Sequence, residues 1–412
     1  MEARELKQVR RYLGFSISEF AQLLHVNANT YKKMETGERA VSDSVRTEFS
    51  KLMSERSKVN ESKLEGKIDY LRIRFKTLDY KTIIDKVLCL SNKPFVKQEK
   101  SYYSYQGRVS FGNIDVLYST GDVNMGTLVE FSGQGCRFFE WYLVNEQGRD
   151  WEQFLLDCFA YANNFTETMA QLDDFLKITR IDIALDELYN PNGNYDLEKL
   201  KIKKDTGLLK TKSKTFKYVD GSIGEESKGK SLYFGSPNSP IVLNFYEKDL
   251  EQAGKLNVPV EFIHSEYGFK NRYEVRLLDK YAHKFVRKWL YEFDGFNIAD
   301  KAVSFINDKI HVYKKTRNGF KLDDEWYRLM GSYGSFAFTM SPTLYEPGVK
   351  EFRWIDERVA PTLKYLFQLD ELRGERRLWN MIQDAEMSDK HKADLAYERE
   401  RLGVEVDEIY HS

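Results

Sequence analysis

The spacing of apolar residues divides the chain into two parts. Up to Met53 apolar residues recur every three or four positions, as in Leu6, Val9 and Leu13, which predicts short amphipathic helices. From Lys67 the pattern changes to alternation, and "KIDYLRIRFK" predicts a half-buried strand. We therefore expect an all-α N-terminal domain followed by a larger domain that contains a sheet.

The segment "SISEFAQLLHVNANTYKKMETGERA" contains signals for two helices joined by a tight turn. Ser16 and Glu19 have the spacing of a capping box, Asn27 can cap the next helix, and Gly37 can end it. This order resembles the helix-turn-helix of Cro/C1-type repressors, whose second helix enters the major groove of DNA. A helical bundle that contacts another protein is the alternative. The resemblance implies these candidates for contacts with base edges and phosphates: Asn27, Asn29, Thr30, Lys32 and Lys33.

Strands and helices are mixed without regular alternation in the rest of the chain. "RVSFGNIDVLYS", "TLVEFSGQGCRFFEW" and "ITRIDIALDE" predict strands, the second of them broken at Gly133 and Gly135. "WEQFLLDCFAYANNF" and most of the chain from 351 onwards predict helices. This mixture is typical of an α+β fold with a mainly antiparallel sheet flanked by helices. The predicted parts are a helix-turn-helix domain at 1–56, a linker at 57–66, a large domain at 67–350 and a helical C-terminal region at 351–412.

Composition limits the kinds of partner. The 412 residues carry a net charge of −1, so attraction to DNA or to a membrane surface must come from local patches. One such patch is the segment 201–230, with nine Lys against four acidic residues, which includes Lys212 and Lys214. It is either a solvated loop or a surface that follows the phosphates of a DNA strand.

Cysteine usage and hydropathy indicate the compartment. The three cysteines have no paired spacing, so a disulfide framework is not expected. The first residues lack the apolar core of a signal peptide, and no apolar run is long enough to span a membrane. We therefore expect a cytoplasmic protein without a membrane segment.

Acidic residues occur on the outward faces of two predicted strands. In "RIDIALD", Asp182 and Asp186 share a face with only Ala184 between them, and this arrangement suits a hard divalent cation such as Mg²⁺ or Mn²⁺. In "RYEVRL", Glu274 lies between Arg272 and Arg276, as a metal ligand or base flanked by phosphate-binding cations would. A solvated strand face and a surface ladder of salt bridges are the alternatives.

The order of four motifs, "RIDIALD", "YFGSPNS", "FYEK" and "RYEVRL", resembles the Rep_trans family of replication initiation factors. Together with the helix-turn-helix, it resembles more closely the MobT-type relaxases of conjugative transposons and integrative conjugative elements. The resemblance implies a metal-dependent enzyme that nicks and religates one DNA strand at an origin of transfer through a 5′-phosphotyrosyl intermediate. It implies Tyr246 as the nucleophile, with Tyr233 as the second candidate.

The resemblance also suggests roles for the neighbours of that tyrosine. Lys248, expected on the same strand face as Tyr246, could lower the pKa of the phenol or contact phosphate. A divalent cation held by the acidic strand residues could polarise the phosphoryl oxygen. The candidate ligands of that cation are Asp182, Asp186 and Glu274.

Two positions depart from the pattern of the family. Asn244 and Pro237 stand where arginines are common, so two phosphate-binding cations are missing. We expect Arg272 and Arg276 to compensate by contacting DNA.

Other functions leave different traces in a sequence. The six histidines contain no pair separated by one residue, as histidine-dependent nickases require. A plasmid or phage replication initiator stays open as an alternative, and so does a transcriptional regulator without catalysis. DNA is the expected partner, and a host helicase or coupling protein is a further candidate.

Overall fold

The computed structural model describes residues 3–13, 15–57, 64–223, 226–292, 296–317, 319–331, 337–338 and 346–403. The chain forms two compact units, each built from two separate stretches. The first unit comprises Met1–Leu71 with Ile178–Met340, and the second comprises Arg72–Lys177 with Ser341–Ser412. The predicted domain boundaries, which follow one another along the chain, stay a prediction, and residues 58–63 of the predicted linker lie outside the described residues.

The N-terminal helices are α1 (Ala3–Tyr12), α2 (Ile17–Leu23), α3 (Ala28–Glu35) and α4 (Asp43–Ser57). The side chain of Ser16 accepts a hydrogen bond from the backbone of Glu19, and the Glu19 side chain bonds back to the backbone of Ser16. Asn27 caps α3 by accepting from the backbone N–H of Asn29 at 2.9 Å. Local capping chemistry thus places both helices where the sequence predicts them.

The elements up to residue 188 follow in this order: β1 (Leu64–Phe75), α5 (Tyr80–Thr82), a π-helical turn (Ile83–Val87), β2 (Val96–Lys97), β3 (Gly107–Phe111), β4 (Ile114–Tyr118), β5 (Thr127–Phe131), α6 (Gly133–Asn145), α7 (Trp151–Asn163), α8 (Met169–Phe175) and β6 (Leu176–Leu188). In the second unit β2, β3, β4 and β5 pair antiparallel in that order. The aromatic side chains of Phe131, Phe139 and Trp151 pack together between β5, α6 and α7.

One predicted strand is only half correct. β5 ends at Phe131, and the residues from Gly133 onwards form helix α6 instead of continuing as a strand. Phe138, Phe139, Tyr142 and other residues at helical spacing are buried there. Gly135 allows this helix to approach the chain closely, because a Cβ atom at that position would lie 2.2 Å from the carbonyl oxygen of Asn113.

The elements of the next part are α9 (Glu198–Asp205), β7 (Leu209–Thr211), β8 (Phe216–Ile223), β9 (Glu226–Phe234), β10 (Ile241–Glu247), α10 (Lys248–Leu256), α11 (Val260–Glu266), β11 (Phe269–Leu278), α12 (Asp279–Tyr291), α13 (Ile298–Lys309), β12 (Ile310–Thr316), β13 (Gly319–Leu322), α14 (Asp324–Met330) and β14 (Ala337–Phe338). The strand order in the first unit is β1-β6-β11-β10-β9-β8, and the pairs from β6 to β8 are antiparallel. β14 lies parallel to β1, and β13, β12 and β7 form a smaller sheet.

The core of the first unit covers one face of this sheet. Ile181, Ile183 and Leu185 of β6 are fully buried, as their alternation predicts. On the neighbouring strands Phe245 and Tyr273 pack edge to face at 5.1 Å, and the ring of Trp326 from α14 lies about 6 Å from both. The residues between these apolar positions therefore lie on the opposite face of the sheet.

The helix-turn-helix packs against the rest of the first unit. α1 contacts α13, and α4 contacts α14. The Ser304 hydroxyl donates to the carbonyl oxygen of Arg11 at 3.1 Å, and the ring of Phe15 stacks on that of His311 with 4.8 Å between centroids. Both rings are buried, so this contact is part of the packed interior of the unit.

The C-terminal part is helical, as predicted. It contains α15 (Val349–Trp354), a second π-helical turn (Ile355–Val359), α16 (Ala360–Arg373), α17 (Arg377–Gln383) and α18 (Asp389–Leu402). The predicted α+β class with an N-terminal helical region and a mainly antiparallel sheet is confirmed. None of the helices in the described residues is both long and apolar enough to cross a membrane.

Candidate active site

The polar face of the first unit's sheet gathers the candidate residues in rows across the strands. Tyr246 on β10 lies opposite Arg272 on β11, which lies opposite Asp186 on β6. Because directly opposite residues point to the same face of a sheet, these three side chains share one face.

A second row runs beside the first. Asn244 on β10 lies opposite Glu274 on β11, which lies opposite Ala184 on β6. In the third row Arg276 lies opposite Asp182. The register therefore brings together the tyrosine, the acidic residues and both arginines that the sequence selects, although they come from three distant segments.

Asp186 is held by two cations. Its carboxylate accepts from Arg272 through Nε at 2.5 Å and a terminal nitrogen at 2.9 Å, and Lys67 of β1 lies 2.6 Å away. Burial alone would raise the pKa of Asp186, but the charges of Arg272 and Lys67 lower it to about 2. Arg272 also contacts Asp69 of β1 at 3.2 Å and is only 5% exposed. Its predicted contact with DNA is therefore disfavoured in this arrangement.

Asp182 has its own pair of arginines. Arg180 donates to both carboxylate oxygens at 3.0 and 2.6 Å, and Arg276 lies 3.4 Å away. The Arg180 guanidinium also stacks on the ring of Tyr70 at 3.8 Å from its centroid. The side chain of Arg276 is 33% exposed, so it is better placed than Arg272 to contact a phosphate.

Glu274 lacks such strong pairing. Its carboxylate accepts from the amide of Asn244 at 3.4 Å, and no salt bridge to it is among the described contacts. Burial, together with the charges of Asp182 and Asp69, raises the pKa of Glu274 to about 7. A nearby positive charge would therefore favour the ionised form of this carboxyl.

Tyr246 is half-buried beside this array. Burial raises the pKa of its phenol well above the usual value, and the charge of Arg272 opposes that shift. The phenol is therefore neutral unless a bound group changes its surroundings.

The position of Lys248 differs from the prediction. β10 ends at Glu247, and Lys248 is the first residue of α10 instead of a strand residue on the same face as Tyr246. It still approaches the tyrosine, because its ammonium lies 5.7 Å from the centre of the Tyr246 ring. Burial lowers the pKa of Lys248, and so does the charge of Arg272, while Glu251 pairs with it at 2.6 Å.

Tyr233 shares the face with Tyr246 but lies one strand farther from the acidic residues. On β9 it is opposite Asn244, and on its other side it is opposite Lys217 of β8. Tyr246 pairs directly with the strand that carries Arg272 and Glu274. The register therefore favours Tyr246 over Tyr233 as the tyrosine of this site.

The predicted metal ligands do not form a cluster. In the described part of the chain, no group of three or more His, Cys, Asp or Glu side chains is close enough to hold a metal ion. Asp182 and Asp186 already bind arginine and lysine, so as a set the three predicted acids do not fit a metal site. Glu274 fits one better, because the neighbouring Asn244 has a buried amide oxygen without a hydrogen-bond partner.

The predicted DNA contacts of the helix-turn-helix are accessible. Asn27, Asn29, Lys32 and Lys33 are exposed and Thr30 is half-buried, whereas Tyr31 and Met34 of the same helix are buried. In the lysine-rich segment, Lys214 is exposed, while Lys212 is exposed but pairs with Asp308 at 2.6 Å. Their roles in DNA binding stay predictions.

Sequence reasoning missed four residues of the site. Lys67, Asp69, Arg180 and Asn244 contact the predicted residues, but they were not selected as site residues. The basic and acidic residues among "EGKIDY" gave a weak signal, because that segment begins a strand with charges at alternate positions.

Comparison with known proteins identifies the family. Residues 176–382 match the family of replication initiation factors, Rep_trans. This range includes all the residues of the sheet face except those on β1. The chain belongs to this family. In this Rep_trans protein, residues 65–157 also match the N-terminal domain of rolling circle replication initiation proteins, and residues 1–94 match an Aca2/YdiL-like domain. The resemblance predicted from the four motifs is confirmed.

Two relatives extend the match. The proposed DNA relaxase NicK of Bacillus subtilis (strain 168) is 32% identical over 353 residues, which cover 83% of the Rep_trans chain and 92% of the relative. The structure of a rolling circle replication initiator protein from Geobacillus stearothermophilus superposes with a TM-score of 0.50 at 21% identity. The superposition covers 67% of the Rep_trans chain and 99% of the initiator. A similarity at this sequence identity shows a shared fold.

Proposed function

We propose that this protein is a site- and strand-specific DNA relaxase that acts in the cytoplasm. It nicks an origin of transfer through Tyr246, stays attached to the 5′ end and then religates the strand. The observation that carries the proposal is the shared sheet face, on which Tyr246 lies beside Arg272, Glu274 and the carboxylate–cation pairs.

The chemistry conserves the energy of the broken bond. The Tyr246 oxygen forms a bond to the scissile phosphorus, and the bond from that phosphorus to the 3′ oxygen breaks. The phenol proton leaves to solvent, and the 3′ oxygen takes up a proton. Religation is the reverse exchange, so it needs no nucleotide cofactor. Because burial keeps the phenol protonated in the resting protein, the bound strand must create the surroundings in which it ionises.

Positive charge near Tyr246 supports this step. Lys248 lies over the ring, and Arg272 is its cross-strand neighbour. The charge of Arg272 stabilises negative charge on the phenolic oxygen. Arg276, with its more exposed guanidinium, is the candidate to hold a phosphate of the strand.

A divalent cation, Mg²⁺ or Mn²⁺, is part of the proposal. Glu274 and Asn244 would hold it, with Asp69 as a further carboxylate whose charge influences Glu274. Such an ion polarises a phosphoryl oxygen and stabilises the charge that develops on it. The salt bridges of Asp182 and Asp186 instead keep the neighbouring strands and arginines in place.

The helix-turn-helix supplies duplex recognition in this proposal. The exposed side of α3 enters the major groove, where Asn27 and Asn29 contact base edges and Lys32 and Lys33 contact bases or phosphates. A host helicase or coupling protein stays a predicted partner, for which no described surface provides an argument.

A supercoiled plasmid that carries the cognate origin tests the function. We expect relaxation that depends on added Mg²⁺ or Mn²⁺ and leaves protein on the 5′ end of the nicked strand. Tyr246→Phe should abolish both, because the variant keeps the ring but lacks the attacking oxygen. The matched control is Tyr267→Phe, an exposed tyrosine of the same unit, which should nick as the parent does.

Two outcomes would change the assignment. If Tyr246→Phe nicks normally while Tyr233→Phe does not, the nucleophile is Tyr233. If the parent protein binds duplex DNA but leaves the plasmid supercoiled with either metal, the protein is a transcriptional regulator and the relaxase proposal fails.

A replication initiator is the second candidate. The match of residues 65–157 to a domain of rolling circle replication initiation proteins favours it. The chemistry at Tyr246 would be the same, so nicking alone does not separate the two functions. Autonomous replication of a plasmid with the cognate origin, compared with conjugative transfer of that plasmid, distinguishes them.

A further inference from the structure

A loop of the second unit carries backbone strain at a tyrosine. The loop "SYYSYQ", residues 101–106, lies between β2 and β3. Tyr103 and Ser104 have φ angles of 54° and 63°, in the left-handed region that residues other than glycine rarely adopt. Such a conformation is unfavourable for a bulky side chain and is maintained only where the surroundings impose it.

The tyrosines on either side of Tyr103 fix this loop. The Tyr102 hydroxyl donates to Asp115 at 2.6 Å, and the Tyr105 hydroxyl donates to the carbonyl oxygen of Met125 at 2.9 Å. The guanidinium of Arg108 also lies over the Tyr102 ring, 5.0 Å from its centroid. The loop is thus anchored at two points, and the strained residue between them is presented outwards.

The ring of Tyr103 is exposed to solvent. It is 50% exposed, although its neighbours Tyr102 and Tyr105 are half-buried. The guanidinium of Arg72 lies over it, 4.8 Å from the centroid, and the Tyr102 ring meets it edge to face at 4.9 Å. An aromatic ring backed by a cation and open to solvent is a surface on which another flat ring can stack.

The charges around the ring indicate what would stack there. Arg72 and Arg108 repel a cationic ligand, and the exposed residues nearby along the chain are Lys97 and Lys100 with one acid, Glu99. The acidic residues Asp115 and Glu130 do not make this surface attractive to cations. Tyr102 and Arg108 contact Asp115, and Arg72 lies 4.0 Å from Glu130. A ligand with a flat ring and a nearby negative charge, such as an unpaired nucleotide, matches these features.

We propose that Tyr103 is a base-stacking subsite for single-stranded DNA in the second unit. Arg72 backs the ring, and the base of an unpaired nucleotide stacks on its open side. The subsite rests on the proposed function for the identity of its ligand, but its test does not depend on nicking.

The test measures binding of a labelled single-stranded oligonucleotide of about 16 nucleotides to the full chain, with EDTA present to prevent nicking. Since stacking on one aromatic ring contributes substantially for each base, Tyr103→Ala should bind about 5- to 150-fold more weakly. Tyr103→Trp should bind as the parent does. A 2-aminopurine in the oligonucleotide should be quenched by the parent and by Tyr103→Trp, and not by Tyr103→Ala.

Phe165→Ala is the matched control, because Phe165 is 59% exposed in the same unit but has no arginine among its described ring contacts. Binding of the annealed duplex should be the same for all variants. The subsite is refuted if Tyr103→Ala binds the single strand as tightly as the parent, or if Phe165→Ala loses as much. Should the plasmid stay supercoiled while Tyr103 still governs single-strand binding, the relaxase proposal fails and the subsite stands.

Discussion

At the scale of single residues, Glu274 couples the site to pH. Its carboxyl is buried near two other acids, and its pKa is about 7 against 4.5 for an ordinary glutamate. A group that binds its proton more tightly in the folded chain stabilises folding at low pH. That contribution is complete below pH 4.5 and is lost as the pH rises to about 7.

Replacing Glu274 with glutamine should remove this dependence. The free energy of unfolding of the parent, relative to Glu274→Gln, should fall by about 2–3 kcal/mol between about pH 5 and about pH 8. Urea unfolding of both proteins across this range measures the difference. Parallel pH profiles would show that Glu274 titrates as an ordinary exposed carboxyl does.

The residues that could be predicted from sequence are those whose position depends on local alternation. Asp182 and Asp186 share a face because alternate residues of one strand point to the same side, and the pairing of β6 with β11 brings Glu274 to that face. Lys67 is not predicted, since its salt bridge with Asp186 depends on which strands become neighbours and in which register. Lys248 was placed on the wrong element, because the change from strand to helix at Glu247 has no capping side chain to mark it.

At the scale of elements, a buried acid fixes the register of β6 and β11. Glu187 is fully buried on the opposite face from Asp186 and accepts hydrogen bonds from Asn194, Tyr195, Asn271 and Tyr273 at 2.7 to 3.0 Å. The register shifts between Phe269 and Asn271, directly before Arg272. This network therefore determines where Arg272 meets Asp186.

Replacing Glu187 with alanine should be strongly destabilising. It leaves buried donors without partners, and the expected loss in the free energy of unfolding is about 3–5 kcal/mol. Urea unfolding measures it, with Glu266→Ala as the control, because Glu266 is an exposed glutamate of the same unit and should change stability by less than about 0.5 kcal/mol. Equal stability of the two variants would show that the network does not hold the register.

The elements show the same division between local and distant causes. Capping by Ser16 and Asn27 depends only on residues close in the sequence, so the prediction of α2 and α3 is correct. The helix from Gly133 departs from the prediction, because two glycines after a strand pattern indicate a break within that strand. They instead lie in the first turn of a helix whose apolar residues recur at helical spacing. No pattern within the sequence indicated that α1 packs on α13, a contact between residues far apart in the chain.

At the scale of the whole molecule, the packing of the helix-turn-helix affects how DNA is selected. α1 and α4 are packed within the same unit as the candidate active site, and α3 keeps its exposed side. The buried stack of Phe15 on His311 and the hydrogen bond from Ser304 hold this arrangement. A recognition helix on a flexible tether would tolerate variable distances, whereas a packed one requires a fixed distance between its duplex site and the nick.

We therefore expect nicking to depend on that spacing. Origins with about 5 or about 10 extra base pairs between the duplex site and the nick should be nicked much more slowly than the parental origin, because even a full helical turn moves the site along the axis. Phe15→Ala with His311→Ala should loosen the contact and reduce the difference between the origins. The control is Phe320→Ala, an exposed residue of β13 outside these contacts, which should keep the parental dependence on spacing. If the parent nicks all three origins at the same rate, the packed helix-turn-helix does not set the distance, and recognition of the duplex is independent of cleavage.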